Sequence, residues 1–329
     1  MTSARKISEL LTRVGLALAC AGAAVLGGAA PASASTVSVY MSTSGSDQND
    51  GSSSRPVKSL QRVKQILMTK STDSATILIA PGTYYETAKA TWGGVPQSTL
   101  LFRRNGDTGR PVFDGANFYP NVKSHYWMDT AGGPRLDVRE LRVRNYRTGG
   151  IRMATSDNIV RNMIFENLGN KYVPHAEYDG YAALHLLGSS RNTISNVTFR
   201  NLDNTGGSCF GCIHAVYAAD GSSDNQIDDS RFSYITGDPV RLRNASSNNV
   251  IELNSFADSA RGGTDRAMVS FWQIDSGDVC GTGNKVNNNT WNGKFFDGTD
   301  GAPIMASGAN PGLTRCTAAI SGSGNDLVP

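Results

Sequence analysis

At 329 residues the chain is long enough for about two average domains, yet only 18% of it is charged and 36 residues are glycine. Those glycines have no three-residue period, which excludes collagen, and β-forming residues are too frequent for a disordered chain. Dense Asn, Ser, Thr and Asp runs exclude a helical bundle, and a net charge of +3 lacks the basic field of a nucleic-acid binder.

Taken in chain order, the first segment is a targeting signal. Arg5, Lys6 and Arg13 precede an apolar run from Val14 to Leu26, and small residues end at Ala32-Ser33-Ala34. These are the basic, hydrophobic and cleavage regions of a signal peptide covering residues 1–34, so a secreted, extracellular protein is expected. Removing it takes away three basic residues and one acidic residue and leaves a net charge of +1. No later apolar run approaches the ~18 residues of a membrane span, so neither a membrane nor a nucleic acid is an expected partner. Residues 35–329 are expected to form a single domain, with 35–90 as an N-terminal cap region and 135–329 carrying the clearest coils. Asp47, Asn49 and Asp50 read as a turn, because the full spacing of a calcium loop is missing. From Pro56 to Met68 the residues Val57, Leu60, Val63 and Leu67 share one face of a short amphipathic helix, with Ser53 or Ser54 as its cap.

A recurring string sets the architecture. Ser156-Asp157-Asn158-Ile159-Val160 leads to Phe165, and similar strings lead to Phe199, Phe232, Phe256 and Trp291. Their anchoring asparagines stand at 158, 192, 225, 249, 284 and 325, at spacings of 34, 33, 24, 35 and 41. Such a period marks a solenoid, in which each repeat buries its apolar face against its neighbours. Within a repeat the pattern is β, with β-branched and aromatic residues between Gly, Asn, Ser and Asp turns. Stacked coils would bring equivalent asparagines about 4.8 Å apart, within amide hydrogen-bonding reach, and would line up the aromatic residues inside. Four cysteines survive signal cleavage and allow three pairings; in an exported chain Cys209–Cys212 with Cys280–Cys316 is expected, and zinc at Cys209-Phe210-Gly211-Cys212 is the rival reading.

Together with Val39-Tyr40-Met41-Ser42, Gly45 to Ser52, and Thr76 to Glu86, these repeats resemble the right-handed parallel β-helix of the pectate-lyase-like superfamily. The resemblance implies an all-β, right-handed parallel β-helix, with the short helix capping its N-terminal end.

A second string precedes each asparagine repeat: Gly150 to Met153, Ala183 to Leu186, Cys212 to Ala215, Pro239 to Arg243 and Met268 to Phe271. Stacking Ile151, Leu184, Ile213, Val240 and Val269 inside turns Arg152, His185, His214, Arg241 and Ser270 outward as one column. Its basic part would span about 14 Å, enough to face several units of a polymer. The insertion from Asn170 to Tyr181 adds Lys171, His175, Glu177, Asp179 and Tyr181 beside it, with Arg243 next to Arg241, as candidate substrate-binding residues. Arg142 and Arg144 would extend the track.

This inventory suits eliminative cleavage of an acidic, uronic-acid-containing polysaccharide. The sugar carboxylate must be neutralised before the neighbouring carbon gives up its proton. Arg152 and Arg241 would bind carboxylates, His185 or His214 would take the proton, and the other histidine or Tyr181 would protonate the leaving oxygen. The superfamily resemblance also implies polysaccharide lyases; no cofactor is required, although calcium is possible, and a monomer is expected. A glycoside hydrolase would need two carboxylates, drawn from Glu177, Asp179, Asp220 and Asp238. A non-catalytic carbohydrate-binding β-helix would need only the basic track and aromatic residues such as Tyr119, Tyr126 and Trp127.

Overall fold

A computed structural model describes residues 34–118, 122–262 and 265–328; residues 1–33 of the predicted signal peptide and Tyr119 lie outside them. Each complete coil contributes one strand to each of three sheets, which have ten, eight and nine strands because the end coils are incomplete. In one coil these strands are Arg135–Arg139, Arg142–Arg144 and Gly149–Met153. The first sheet runs from Thr36–Met41 to Ile320–Ser323, the second from Ala90–Thr91 to Met305–Ala309, and the third from Thr83–Tyr85 to Asp326–Leu327. Neighbouring strands are parallel, as expected of an all-β parallel β-helix.

The sequence explains the closure. Where the chain leaves the first sheet for the third, Glu140, Asn162, Asn196, Asp229, Leu253 and Asn288 all take φ between 48° and 61°. Asn and Asp reach this left-handed region at least cost among non-glycine residues, which accounts for the asparagine-rich turns. Leu253 is the apolar exception and its side chain is exposed.

Five of the six anchoring asparagines form the expected ladder. Each Oδ1 accepts the amide Nδ2 of the residue one coil before, at 2.7 Å for Asn158–Asn192, Asn192–Asn225 and Asn225–Asn249, and 2.9 Å for Asn249–Asn284. Asn325 does not join them. It ends a second ladder, Asn254–Asn289–Asn325, at another corner of the coil. The 41-residue spacing carries this discrepancy, because Asn284 lies in register with Ile320. The interior aromatic row forms for Phe165, Phe199, Phe232 and Phe256, stacked at centroid distances of 5.6, 5.0 and 4.6 Å, while Trp291 continues it in register but is only partly buried. Both expected disulfides are present.

The cap helix spans Leu60–Leu67 and starts later than Pro56; its N-cap is Ser59, whose Oγ accepts from Arg62 N at 3.1 Å. Val57 is extended instead and pairs with Met41. Asp47 forms a turn, its carboxylate accepting from Lys58 N, Ser59 N and Ser59 Oγ. Glu86 lies beneath this cap and accepts from Leu60 N at 3.0 Å. Burial raises its pKa from 4.5 to about 7, with the Asp47 charge adding to the effect. A carboxyl raised on folding contributes its stability below pH 4.5, and that contribution disappears as pH rises through 7. Glu86→Gln is therefore expected to flatten the stability profile between pH 4.5 and 7 and to gain about 3 kcal/mol at pH 8. Urea melts of both proteins across that range test this; parallel profiles would refute it.

A candidate functional site on the second sheet

Strand pairing on the second sheet fixes which side chains share its outer face. Arg152 pairs with Asp129 on one side and His185 on the other. His185 then pairs with Tyr217, Tyr217 with Arg241, and Arg241 with Ser270. The column is thus Asp129, Arg152, His185, Tyr217, Arg241 and Ser270, with Tyr217 where His214 was expected. His214 lies three residues earlier, opposite Ala182. The physical cause is the turn closed by Cys209–Cys212, which delays the strand until His214 and makes Val216, not Ile213, the partner of Leu184. Arg142 and Arg144 belong to the third sheet and pair with Glu166 and Asp114, so they do not extend the column.

His185 is the centre of the face. Its Nδ1 is 2.9 Å from the Tyr126 hydroxyl, and the rings of Tyr181 and Tyr217 lie 4.6 and 5.4 Å away. Its Nε2 is buried without a hydrogen-bond partner. Burial, reinforced by the positive charge of Arg152, lowers its pKa to about 3, so the imidazole is neutral at physiological pH. On one side Arg152 and Lys89 share Asp129, at 3.2 and 3.0 Å. Burial alone would raise Asp129; the amide of Ala131 and these two cations hold it below its ordinary range. Lys89 also lines a recess of about 460 Å³ that extends to Glu86 and the cap helix.

On the other side stands Asp238, fully buried. Its Oδ2 accepts from Arg241 and from Ser270 Oγ, with Arg266 at 3.8 Å. Burial would raise this carboxyl, but Arg241 and Arg266 keep it ionised below the usual range. His214 donates from Nδ1 to the Asp238 carbonyl at 2.8 Å, leaving its lone pair on Nε2. Burial and Arg241 lower its pKa to about 3. Its ring stacks on Tyr217 at 5.3 Å, so His214 remains next to the column despite its shifted register.

The insertion before His185 divides in the same way. Tyr181 covers His185 and Tyr217 and is half-buried. Asp179 instead anchors the disulfide turn, accepting from Ser208 Oγ and Cys209 N at 2.5 and 2.7 Å. Lys171 is held by Asp203 at 2.8 Å, and His175 stacks on Tyr178 while accepting from Glu177 N. No hydrogen bond or ring contact among the described residues joins Lys171, His175 or Glu177 to the column. Arg243 flanks it but is committed to Asp278 and Asp275 at 2.7 and 2.8 Å. Tyr126 and Trp127 are buried, so they offer no exposed platform for a sugar. Among the described residues no group of three His, Cys, Asp or Glu side chains is placed to hold a metal.

Sequence reasoning missed Asp129, Tyr217, Arg266 and Trp272. Asp129 had a readable signal: Trp127-Met128-Asp129 has the same apolar-then-charged step as Ile151-Arg152.

The family described as right-handed beta helix region matches residues 125–319, and the chain belongs to it. Among solved structures, the chain is similar to a rhamnogalacturonan lyase, at 16% identity over 77% of this chain and 68% of that one, with a TM-score of 0.40. A pectate lyase matches at 15% identity over 90% and 79% of the two chains, with a TM-score of 0.41. A lacto-N-biosidase from Eubacterium ramulus matches at 12% over 88% and 68%, with a TM-score of 0.37. A search of curated proteins found no match.

Proposed function

We propose that the protein is a secreted polysaccharide lyase that cleaves an acidic polysaccharide by β-elimination at the outer face of the second sheet. The observation that carries this reading is a neutral, partnerless His185 Nε2 enclosed by tyrosines, with Arg152 one coil away and Arg241 two coils away. The arginines neutralise sugar carboxylates, which makes the adjacent carbon acidic. His185 Nε2 takes that carbon's proton. An anionic sugar beside it raises its low proton affinity, because a negative charge favours the imidazolium. Burial raises the Tyr181 hydroxyl well above its ordinary range, so it stays protonated and donates its proton to the leaving oxygen. The electron pair from the broken C–H bond forms the double bond, the C–O bond breaks, and no water is consumed.

The carboxylates of the face favour elimination over hydrolysis. Asp129 and Asp238 are both held ionised by cations, and neither is placed to serve as a protonated general acid. The test is purified residues 35–329 with pectate, alginate, glucuronan, hyaluronan and chondroitin, read by ultraviolet absorbance of unsaturated uronate, with and without a chelator. Chelator-resistant absorbance on one polymer is expected. New reducing ends without absorbance would overturn the lyase reading in favour of a hydrolase, and binding without turnover would favour a carbohydrate-binding β-helix.

A further inference from the structure

The Asp238 cluster carries more positive charge than its internal pairing uses. Two guanidinium groups, Arg241 and Arg266, meet a single carboxylate, and the nearby His214 is neutral. The other carboxylate beside Arg266, Asp265, is bound by Arg315 at 2.6 Å. Both guanidinium groups lie over the Trp272 ring, 4.7 and 4.1 Å from its centroid. The ring is buried against Gly308, where an added Cβ would come within 2.1 Å of the indole. Trp272 therefore holds the two cations in place rather than offering an open stacking surface.

Around Asp238 itself three polar atoms are buried and unpartnered, Arg241 Nε, Arg266 Nη1 and Asp238 Oδ1; a fourth, Asp265 Oδ1, belongs to the carboxylate that Arg315 holds by its other oxygen. Of the three, two are donors on cations and one is an acceptor on a carboxylate. An unpaired buried polar group is destabilising and an unpaired buried charge more so, so such a set is stabilised by a ligand that presents the complementary atoms. A lone inorganic anion would satisfy the donors and repel Asp238 Oδ1. A ligand bearing both a carboxylate and a neighbouring hydroxyl satisfies all three. Arg266 is the accessible member, with its side chain 21% exposed, while Arg241 and Asp238 lie deeper.

We propose that Arg241, Arg266 and Asp238 form a subsite for one uronate unit, whose carboxylate lies across the two guanidinium groups while a ring hydroxyl donates to Asp238 Oδ1. The subsite rests on the acidic-polysaccharide reading above and deepens it: its Arg241 stands two coils along the column from His185, and it holds the chain by one sugar acid. Arg266 is a binding residue in this scheme, so its loss affects KM more than kcat.

Because binding is measured apart from cleavage, failure of the subsite and failure of the lyase reading remain distinguishable. Glucuronate, galacturonate and mannuronate are titrated by calorimetry into the wild-type chain, Arg266→Gln and Arg266→Lys, with glucose, galactose and mannose as neutral controls and sulfate as the hydroxyl-free anion. Trp272 fluorescence, assigned by Trp272→Phe, gives a second readout. At least one uronate is expected to bind and change the emission, with the neutral sugars and sulfate at least tenfold weaker. Arg266→Gln should weaken that uronate at least tenfold, and Arg266→Lys should recover part of the loss. Equal binding of neutral sugar and uronate, equal binding of sulfate and uronate, or unchanged uronate binding by Arg266→Gln would each overturn the subsite, whatever the cleavage assay shows. Should Arg266→Gln fail to fold, the wild-type comparison of uronate, neutral sugar and sulfate decides alone.

Discussion

Replacing His185 with alanine is expected to lower kcat on the cleaved polymer by about 10²–10⁴-fold, the range a positioned general base contributes. The side chain sits between Tyr126 and Tyr217 with Nε2 free, and no other neutral base in the column takes its place. His214 is next in line, but its ring lies opposite Ala182 and its Nδ1 is committed to the Asp238 carbonyl. His214→Ala is therefore expected to have the smaller effect. His185→Ala also leaves the buried Tyr126 hydroxyl without its partner, at about 1–3 kcal/mol, so activity is measured well below the variant's Tm. Tyr181→Phe, which removes only the hydroxyl, should lower kcat without that structural loss. Because the free enzyme's imidazole titrates near pH 3, kcat/KM should show no histidine limb between pH 5 and 8. Near-wild-type turnover by His185→Ala at saturating polymer would remove His185 from the chemistry.

The legibility of this chain divides along a physical line. Features carried by one residue type at one place in every coil were readable: the asparagines from 158 to 284, the phenylalanines from 165 to 256, and the alternation that turns Arg152, His185 and Arg241 outward. Features set by the length of a connection were not. The disulfide turn before His214 shifts that strand by three residues, and only the ladder of backbone hydrogen bonds reveals that Tyr217 takes its place. Asn325 misled in the same way, because its coil is long enough for the asparagine to land at a different corner. Ion pairing was the third blind spot. Asp129 and Arg266 act through partners one or more coils away; the strand step before Asp129 could have placed it on the face, but nothing in the sequence names the partners of either. The insertion shows the same dependence on distant partners: Asp179 is engaged by the disulfide turn at Ser208 and Cys209, and Lys171 by Asp203.

The ladder itself invites the strongest stability test, and Asn225→Ala is expected to cost about 3–5 kcal/mol from one hydrogen-bonding side chain. Asn225 is buried at the middle of the stack. Its Oδ1 accepts from Asn192 N and Nδ2 at 3.0 and 2.7 Å, and its Nδ2 donates to Asn249 Oδ1 at 2.7 Å. Truncation leaves the Asn192 backbone N–H without its acceptor, while Asn192 Nδ2 keeps Ser189 Oγ and Asn249 Oδ1 keeps Asn225 N. One orphaned amide accounts for about 1–3 kcal/mol, and two lost amide–amide bonds in a dry stack supply the rest. Asn225→Asp should be worse still, because it keeps the shape and the acceptor but sets a charge against Asn249 Oδ1 where a donor stood. Asn325→Ala supplies the contrast: it ends its ladder in a half-buried position that water reaches, so about 1 kcal/mol is expected. Urea denaturation of the three variants decides the matter. Equal losses for Asn225→Ala and Asn325→Ala would mean that the column contributes no more than isolated turn hydrogen bonds, whereas the expected gradient places the solenoid's cohesion in its buried asparagine corner as well as in its phenylalanine row.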